Sequence, residues 1–580
     1  MLKGKYLFIF LFALSLNVQA QLTDSTDRYK KANLDKEFLT GSKIVFDQPS
    51  NFQISSLELL AKVWGFLKYH HPAIAKGDYN WDFELFRMTP KLLVVKTLKE
   101  RNELLSKWIY ALGPFENGKT IRPAKAQIKY ELNFDWFKSS KFSPELISQL
   151  NAVKNADRTA GSYYVKMYDA ETPVAIFKNE GDYSSFKYPD AGYRLLGLFK
   201  FWNSYEYFSP YRNLLDKPWS GILKEYIPKL IAAKNELDYK LTMAALIAET
   251  QDSHSDISPY DIAFRGFYGT FTPKMTIAFV DDQAVVTNST EDGSLNALKK
   301  GDVIQSINNV PISKLMKEKL PYVSASNYAT QLRKLTTILL RTNDTLMQVS
   351  FIRDDKSEQL SLKCYPFNRR EKRAAPVDSG FKMINKDIAY IHASRIETRL
   401  KSVMPMAMQA KAMILDLRTY PKPTSFAWDL AKYIFDAPKE VARYTAGSTE
   451  IPGLFSYMPD DYMAQVRIGV ANVNPYLGKI IVLVNEETQS LGELSAMALR
   501  AGPNTIIVGS QTAGADGSVG MPVTFPGGIV TGFTQIGVYY PDGKETQRIG
   551  IIPDVKVKPS VKGIKEGRDE MLEKAISLLN

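Results

Sequence analysis

Apolar positions change their spacing along the chain, and each change marks a different kind of structure. From Leu60 to Leu92 they recur at helical spacing around a Pro/Trp turn, and the same pattern returns from Leu198 to Leu230. Leu60, Lys62, Trp64, Tyr69, Pro72, Trp81, Leu85, Pro90, Lys91 and Leu92 each have an identical residue 138 positions later, without a gap. Two related helical units are therefore expected, each a helix, a turn and a second helix, with a third helix at 98–112 and 236–250. Two copies are too few for a solenoid, and their aromatic residues read as packing. The stretch between them, 115–190, is rich in tyrosine, lysine and turn residues and reads as irregular or short-stranded.

Alternation replaces helical spacing from about 266 to 366. Met275 to Val286 alternates around an Asp-Asp turn, and a turn, a short buried strand and an Asn308-Asn309 hairpin follow. A helix over 326–340 and strands over 346–353 and 358–365 complete this region. Beyond the basic linker Arg369 to Arg373, apolar runs predict strands at 387–392, 412–417, 479–484, 505–509 and 529–538, with helices between several of them. Alternating strands and helices imply a mainly parallel, covered sheet. The chain reads as a multidomain α+β protein. The N-terminal region 21–190 holds the first helical unit, 191–262 the second, 266–367 a β-domain and 375–560 an α/β domain, and 561–580 forms a C-terminal helix.

Within the α/β domain, Ile480-Ile481-Val482-Leu483-Val484 runs into the polar turn Asn485–Ser490 and then the amphipathic segment Leu494–Arg500. A buried strand, a tight turn and a helix place Ser490 where backbone N–H groups are unpaired and the helix dipole is positive. A nucleophilic oxygen and an anion site coincide there, as acyl transfer requires. The structural alternative is an N-cap, with Glu493 closing a capping box three residues on. The two roles are compatible, since a cap exposes its hydroxyl.

Composition refines this picture. The 580 residues contain a single cysteine, Cys364, in an alternating stretch that points it to a core. No internal disulfide can form. Lys3 and Lys5 precede the apolar run Tyr6–Leu16, and Val18-Gln19-Ala20 offers small residues for cleavage, so residues 1–20 read as a secretory signal peptide. No later segment approaches ~20 uninterrupted apolar residues, so no membrane span is expected. The expected location is periplasmic or extracellular. The net charge of +12 is dispersed rather than clustered, which argues against a nucleic-acid partner and allows loose attraction to an anionic envelope. No metal-ligand cluster or nucleotide loop is visible, and no cofactor is expected.

Only four histidines exist. His70 and His71 correspond to Phe208 and Ser209 in the second unit and read as surface or packing. His392 ends a predicted strand and is a lesser candidate. His254 follows a predicted helix, flanked by Asp252, Ser253 and Asp256; capping or surface exposure is its default role.

Two resemblances raise that expectation. Gly301-Asp302-Val303-Ile304 with the Asn308-Asn309-Val310-Pro311 hairpin resembles PDZ domains, which bind peptide ends by adding a strand to a sheet edge. The Asp-Ser-His segment, this PDZ-like domain and Thr488-Gln489-Ser490-Leu491-Gly492-Glu493, with Ile414–Arg418, Gly509–Gly514 and Gly550–Val555, together resemble the tail-specific (C-terminal processing) serine peptidase family. The resemblance covers most of 190–560 and implies a crotonase/ClpP-like α/β peptidase core with an inserted PDZ-like module. Many members pair the serine with a downstream lysine, but Gly509 to Gly520 contains none. The tricorn-core-like branch uses instead a histidine, its preceding serine and a distal glutamate. The resemblance thus implies Ser490 as nucleophile, His254 as general base, Ser253 and Glu545 as its orienting groups, and the Leu491 N–H as oxyanion donor. A second donor usually comes from a Gly-Gly after the Asp-Leu-Arg strand; here Thr419-Tyr420-Pro421-Lys422-Pro423 follows.

The leading expectation is an exported serine-type peptidase acting on peptide or protein substrates, held by the PDZ-like module, with a homo-oligomer allowed by the family's habit of associating. An inactive peptide- or envelope-protein-binding relative is the alternative. A crotonase-type acyl-CoA enzyme is disfavoured by export away from CoA.

Overall fold

A computed structural model describes residues 29–118, 122–169, 172–257, 261–289, 297–367, 379–459 and 467–579. The leader expected at 1–20 and the basic linker 369–373 lie outside them.

The helical half contains helices Asn51–His70, Trp81–Leu93 and Leu98–Ala111, then Ala191–Phe208, Trp219–Ala232 and Glu236–Ala248. The tryptophans explain why the turns close alike. Trp64 Nε1 donates to the Trp81 carbonyl at 2.8 Å and Trp81 Nε1 to the Trp64 carbonyl at 2.9 Å. Trp202 and Trp219 make the same reciprocal pair at 2.9 and 3.1 Å. Each indole is buried, so each buried N–H is satisfied by the partner's backbone. The two long helices cross at Gly65. Asn203 lies over it, its Nδ2 donating to the carbonyls of Ala61 (3.0 Å) and Phe199 (2.9 Å). A Cβ at Gly65 would lie 1.8 Å from Asn203 Oδ1. Gly65→Ala is therefore expected to cost about 2–4 kcal/mol, from overpacking plus the displaced amide, read as a lowered thermal midpoint. An unchanged midpoint would mean the helices separate freely.

Both repeat histidines are packed, not exposed: His70 is 2 % and His71 0 % accessible. His71 Nδ1 accepts the Ala73 N–H at 3.2 Å, capping helix Pro72–Ala75. Burial pushes His71 down to about 4. The folded chain keeps it neutral while the unfolded chain protonates near 6.5, so its contribution is complete above pH 6.5 and is lost as pH falls toward 4. Urea unfolding at pH 7 and pH 4.5 should show a loss that His71→Asn, which keeps the cap, reduces by about 2 kcal/mol. An equal loss in both proteins would rule out this source.

The β-module is a seven-stranded sheet in the order Phe271–Pro273, Lys356–Pro366, Leu346–Arg353, Val303–Ile307, Gln283–Ser289, Met275–Val280, with Val310–Pro311 paired to Val303–Ile307. Three of its turns use an acidic or amide pair at positive φ: Asp281-Asp282, Asn308-Asn309 and Asp354-Asp355. Asn and Asp tolerate the left-handed conformation that tight hairpins need. Cys364 is buried in strand Lys356–Pro366. Helix Tyr328–Leu339 packs against the edge strand Met275–Val280.

The α/β domain is built on a six-stranded sheet ordered Phe381–Asn385, Ile388–His392, Ala412–Asp416, Lys479–Val484, Thr505–Gly509, Val555–Lys556. All neighbours but the first pair are parallel. The single strand expected at 529–538 is corrected. Ile529–Thr531 pairs only with Val523–Phe525, and after Gly532-Phe533 strand Thr534–Tyr539 enters a separate five-stranded antiparallel sheet. That sheet recruits Ile128–Glu131 from the N-terminal stretch onto Leu454–Tyr457. The C-terminal helix is also two, Val561–Glu566 and Glu570–Ser577. Gly567 at φ 70° ends the first and Asp569 caps the second.

Candidate active site

Strand Lys479–Val484 is buried from Ile480 onward and delivers the chain to Ser490, where φ is 54° and ψ −121°. Such a conformation costs a non-glycine residue on the order of 1–3 kcal/mol and persists only where the surroundings over-determine it. Here they do. Thr488 Oγ1 donates to the Leu417 carbonyl at 2.8 Å. Glu493, completely buried, accepts from the Ser490 N–H (3.1 Å), Thr512 Oγ1 (2.5 Å), the Gly514 N–H (2.7 Å) and the Ala515 N–H (2.9 Å). Its arm of the capping box is thus formed, while the positive φ takes Ser490 out of the extended conformation usual for an N-cap. Helix Leu491–Arg500 begins at once. Among the described residues the Leu491 N–H has no acceptor.

Asp516 shares this pocket of charge. It is buried, and among the described residues neither of its oxygens has a hydrogen-bond partner. Burial, then the Glu493 charge, pushes its carboxyl well above the usual range. Burial also raises Glu493, against the pull of its four donors. In the sequence Asp516 lies in a Gly-rich turn, where an aspartate signals only a turn.

His254 stands in the loop after helix Glu236–Ala248. Its ring Nδ1 is 3.5 Å from Asp252 Oδ1 and 3.2 Å from Thr534 Oγ1. Asp252 Oδ1 also accepts the His254 N–H at 3.0 Å, and Oδ2 accepts the Thr534 N–H at 2.8 Å. Burial alone would raise Asp252; the hydrogen bonds and charge of His254, with the Thr534 N–H, outweigh it and hold the carboxyl at about 2. Asp252 is the carboxylate that faces the His254 ring, and sequence reasoning assigned it no role although it stands two positions before the histidine.

The two expected orienting residues are placed elsewhere. Ser253 is locked to Ser326: its N–H and Oγ reach Ser326 Oγ at 2.9 and 3.1 Å, and the Ser326 N–H donates back at 2.9 Å. Glu545 is ion-paired with Lys129 at 2.9 Å, drawn to the recruited N-terminal strand. No hydrogen bond or ion pair among the described residues joins Glu545 to His254. Nor does a hydrogen bond join His254 to Ser490. Gln547 comes nearer the histidine loop, its Nε2 3.4 Å from Ser326 Oγ. His392 is buried at a strand end, its Nδ1 3.3 Å from the Ser394 N–H and hydroxyl.

In the loop beside Ser490, the N–H groups of Thr419 and Tyr420 have no backbone acceptor among the described residues. Pro421 and Pro423 have no N–H, and Lys422 donates its own to the Ala393 carbonyl at 2.8 Å. Arg418 before them is held by Asp416 (2.6 Å) and Asp569 (2.7 Å).

Residues 387–557 match the family described as peptidase family S41. The fold is similar to mature CPAF complexed with lactacystin, at 14% identity over 67% of this chain and 98% of that chain, with a TM-score of 0.52. It is similar also to mature CPAF alone, at 14% identity over 66% and 96%, with a TM-score of 0.51. Likeness at this identity establishes the fold. No curated protein matches the chain.

Proposed function

We infer that this chain hydrolyses peptide bonds in protein or peptide substrates, with Ser490 as nucleophile and His254 as general base; the match of residues 387–557 to peptidase family S41 supports the reading. The observation that carries the reading is the Ser490 turn: a serine held at φ 54° between a buried parallel strand and a helix, followed by an N–H with no acceptor among the described residues. A nucleophile on such a turn stands clear of the sheet, and the next N–H faces the charge developing on the attacked carbonyl. In the reaction His254 accepts the Ser490 proton as Oγ bonds to the carbonyl carbon. The Leu491 N–H stabilises the oxyanion, and His254 returns the proton to the leaving amine. Water then repeats the sequence on the acyl-serine. Asp252 steadies the imidazolium. The reading requires the His254 loop to close on Ser490 with substrate, as catalytic hydrogen bonds tighten in the substrate complex. Glu545 and Ser253 enter only if the same closure brings them to the ring.

The edge strand Met275–Val280 beside helix Tyr328–Leu339 supports a PDZ-like role for the β-module, with a peptide added as a further strand. The N-terminal charge and apolar pattern supports export. No described helix is long and apolar enough to cross a membrane.

A second reading, a peptide-binding relative without activity, is favoured by the segment after Arg418, Thr419-Tyr420-Pro421-Lys422-Pro423, which lacks the Gly-Gly pair. A fluorophosphonate probe separates the two. Labelling of the folded wild type that disappears in Ser490→Ala and in His254→Ala supports the peptidase. Labelling that survives His254→Ala removes His254 as base and turns attention to His392. A folded but unlabelled wild type favours the binding protein.

A further inference from the structure

One helix of the β-module touches both halves of the candidate site. Helix Tyr328–Leu339 starts at its N-cap Asn327, whose Nδ2 donates to the Thr512 carbonyl at 2.8 Å, beside the Glu493 cluster. Further along, Arg333 Nη1 donates to the Glu486 carbonyl at 2.7 Å, and Nη2 to Gln489 Oε1 at 2.6 Å. Gln489 immediately precedes Ser490. The next residue, Lys334, donates from Nζ to the carbonyls of Ser253 and Ser324, both at 2.8 Å, and to Asp256 Oδ2 at 3.0 Å. Ser253 immediately precedes His254. Neighbouring residues on a helix project about 100° apart, so this pair can serve two loops from one rigid support. Both side chains are mostly covered, 17% and 19% accessible. Their donors are charged; three of the acceptors are backbone carbonyls, of Glu486, Ser253 and Ser324, and the Gln489 amide and the Asp256 carboxylate are side chains.

We propose that Arg333 and Lys334 are positioning residues that hold the Ser490 turn and the His254 loop in register, so that the β-module sets the rate of reaction at Ser490. The proposal rests on the peptidase reading. Neither residue touches the reacting atoms. Each acts through its neighbour: Arg333 through Gln489, Lys334 through the Ser253 carbonyl. A displacement of about 1 Å in such a support costs up to about 100-fold in rate.

The test uses the full chain and a fluorophosphonate probe, with the inactivation rate constant and probe affinity measured separately. Arg333→Met and Lys334→Met should each slow inactivation about 10- to 100-fold with probe affinity unchanged. Lys334→Arg, which keeps a charged donor for the two carbonyls, should recover most of the rate. Arg333→Lys, which loses the planar fork spanning Glu486 and Gln489, should not. Amide exchange supplies a readout that needs no activity. Arg333→Met should raise exchange in 486–492 alone, and Lys334→Met in 252–256 alone. Variants labelled at the wild-type rate, from a labelled wild type, overturn the positioning role. So does exchange raised throughout the chain, which would mark a merely structural loss. An unlabelled wild type overturns the peptidase reading instead, and the proposal with it.

Discussion

Ser490→Ala should reduce peptide hydrolysis by about 10⁴- to 10⁶-fold while leaving the thermal midpoint within a degree or two of the wild type. The size follows from chemistry: without Oγ there is no acyl-enzyme, and what remains is the rate that binding and one oxyanion donor supply to water. The stability expectation follows from geometry. The turn is held through the Ser490 N–H by Glu493 and through Thr488 by the Leu417 carbonyl, and none of these bonds uses Oγ. Alanine inherits the same strained φ of 54°. Ser490→Gly removes the same activity but relieves backbone strain, so it should be the more stable of the two variants by about 1 kcal/mol. Turnover of an unfolded protein substrate, followed beside circular dichroism, checks both statements. Hydrolysis that persists in folded Ser490→Ala would remove this serine from the mechanism.

Glu493→Gln should destabilise the α/β domain by about 2–4 kcal/mol and slow labelling at Ser490 with it. Glu493 Oε1 faces Thr512 Oγ1 and the Gly514 N–H, and Oε2 faces the N–H groups of Ser490 and Ala515. Every partner is a donor. A glutamine must turn an NH₂ toward two of them, whichever way it flips, and at this depth water cannot compensate. The result is two unsatisfied backbone or hydroxyl donors beside Ser490. Glu493→Leu leaves all four without an acceptor and should approach the whole stability of a typical domain, at about 5 kcal/mol or more. Urea midpoints for the three proteins decide the matter: a Glu493→Gln protein within about 0.5 kcal/mol of wild type would mean that the cluster is not held as described.

Much of this architecture was legible without coordinates because its signals are local. The reciprocal tryptophan pairs rest on residues 17 positions apart within one helix–turn–helix, and their repetition exposed the two units. Strands Ala412–Asp416, Lys479–Val484 and Thr505–Gly509 were visible because a strand covered on both faces must be apolar throughout. Ser490 was visible for a related reason: strand, turn and helix are contiguous, so the junction that exposes the serine is written in one run of residues. The misassigned segment 529–538 shows where local reading stops. Its residues favour extended backbone wherever they lie, and only Gly532-Phe533 and the partners available on each side decide which sheet each half joins.

By itself, then, the sequence determined most of the elements, the Ser490 turn and the His254 loop, since each depends on near neighbours in the chain. Tertiary structure alone decided what surrounds them. Asp252 rather than Ser253 faces the His254 ring because Thr534, far along the chain, anchors its carboxylate. Glu545 turns to Lys129 because an N-terminal strand pairs with the edge of its sheet. Arg333 and Lys334, unremarked as surface charges in the sequence, become a bridge between the two loops because a helix of another module packs there. The physical reason is the same in each case: hydrogen bonds and ion pairs between distant segments depend on which faces meet, and hydrophobic burial, which no single stretch of residues encodes, decides that meeting.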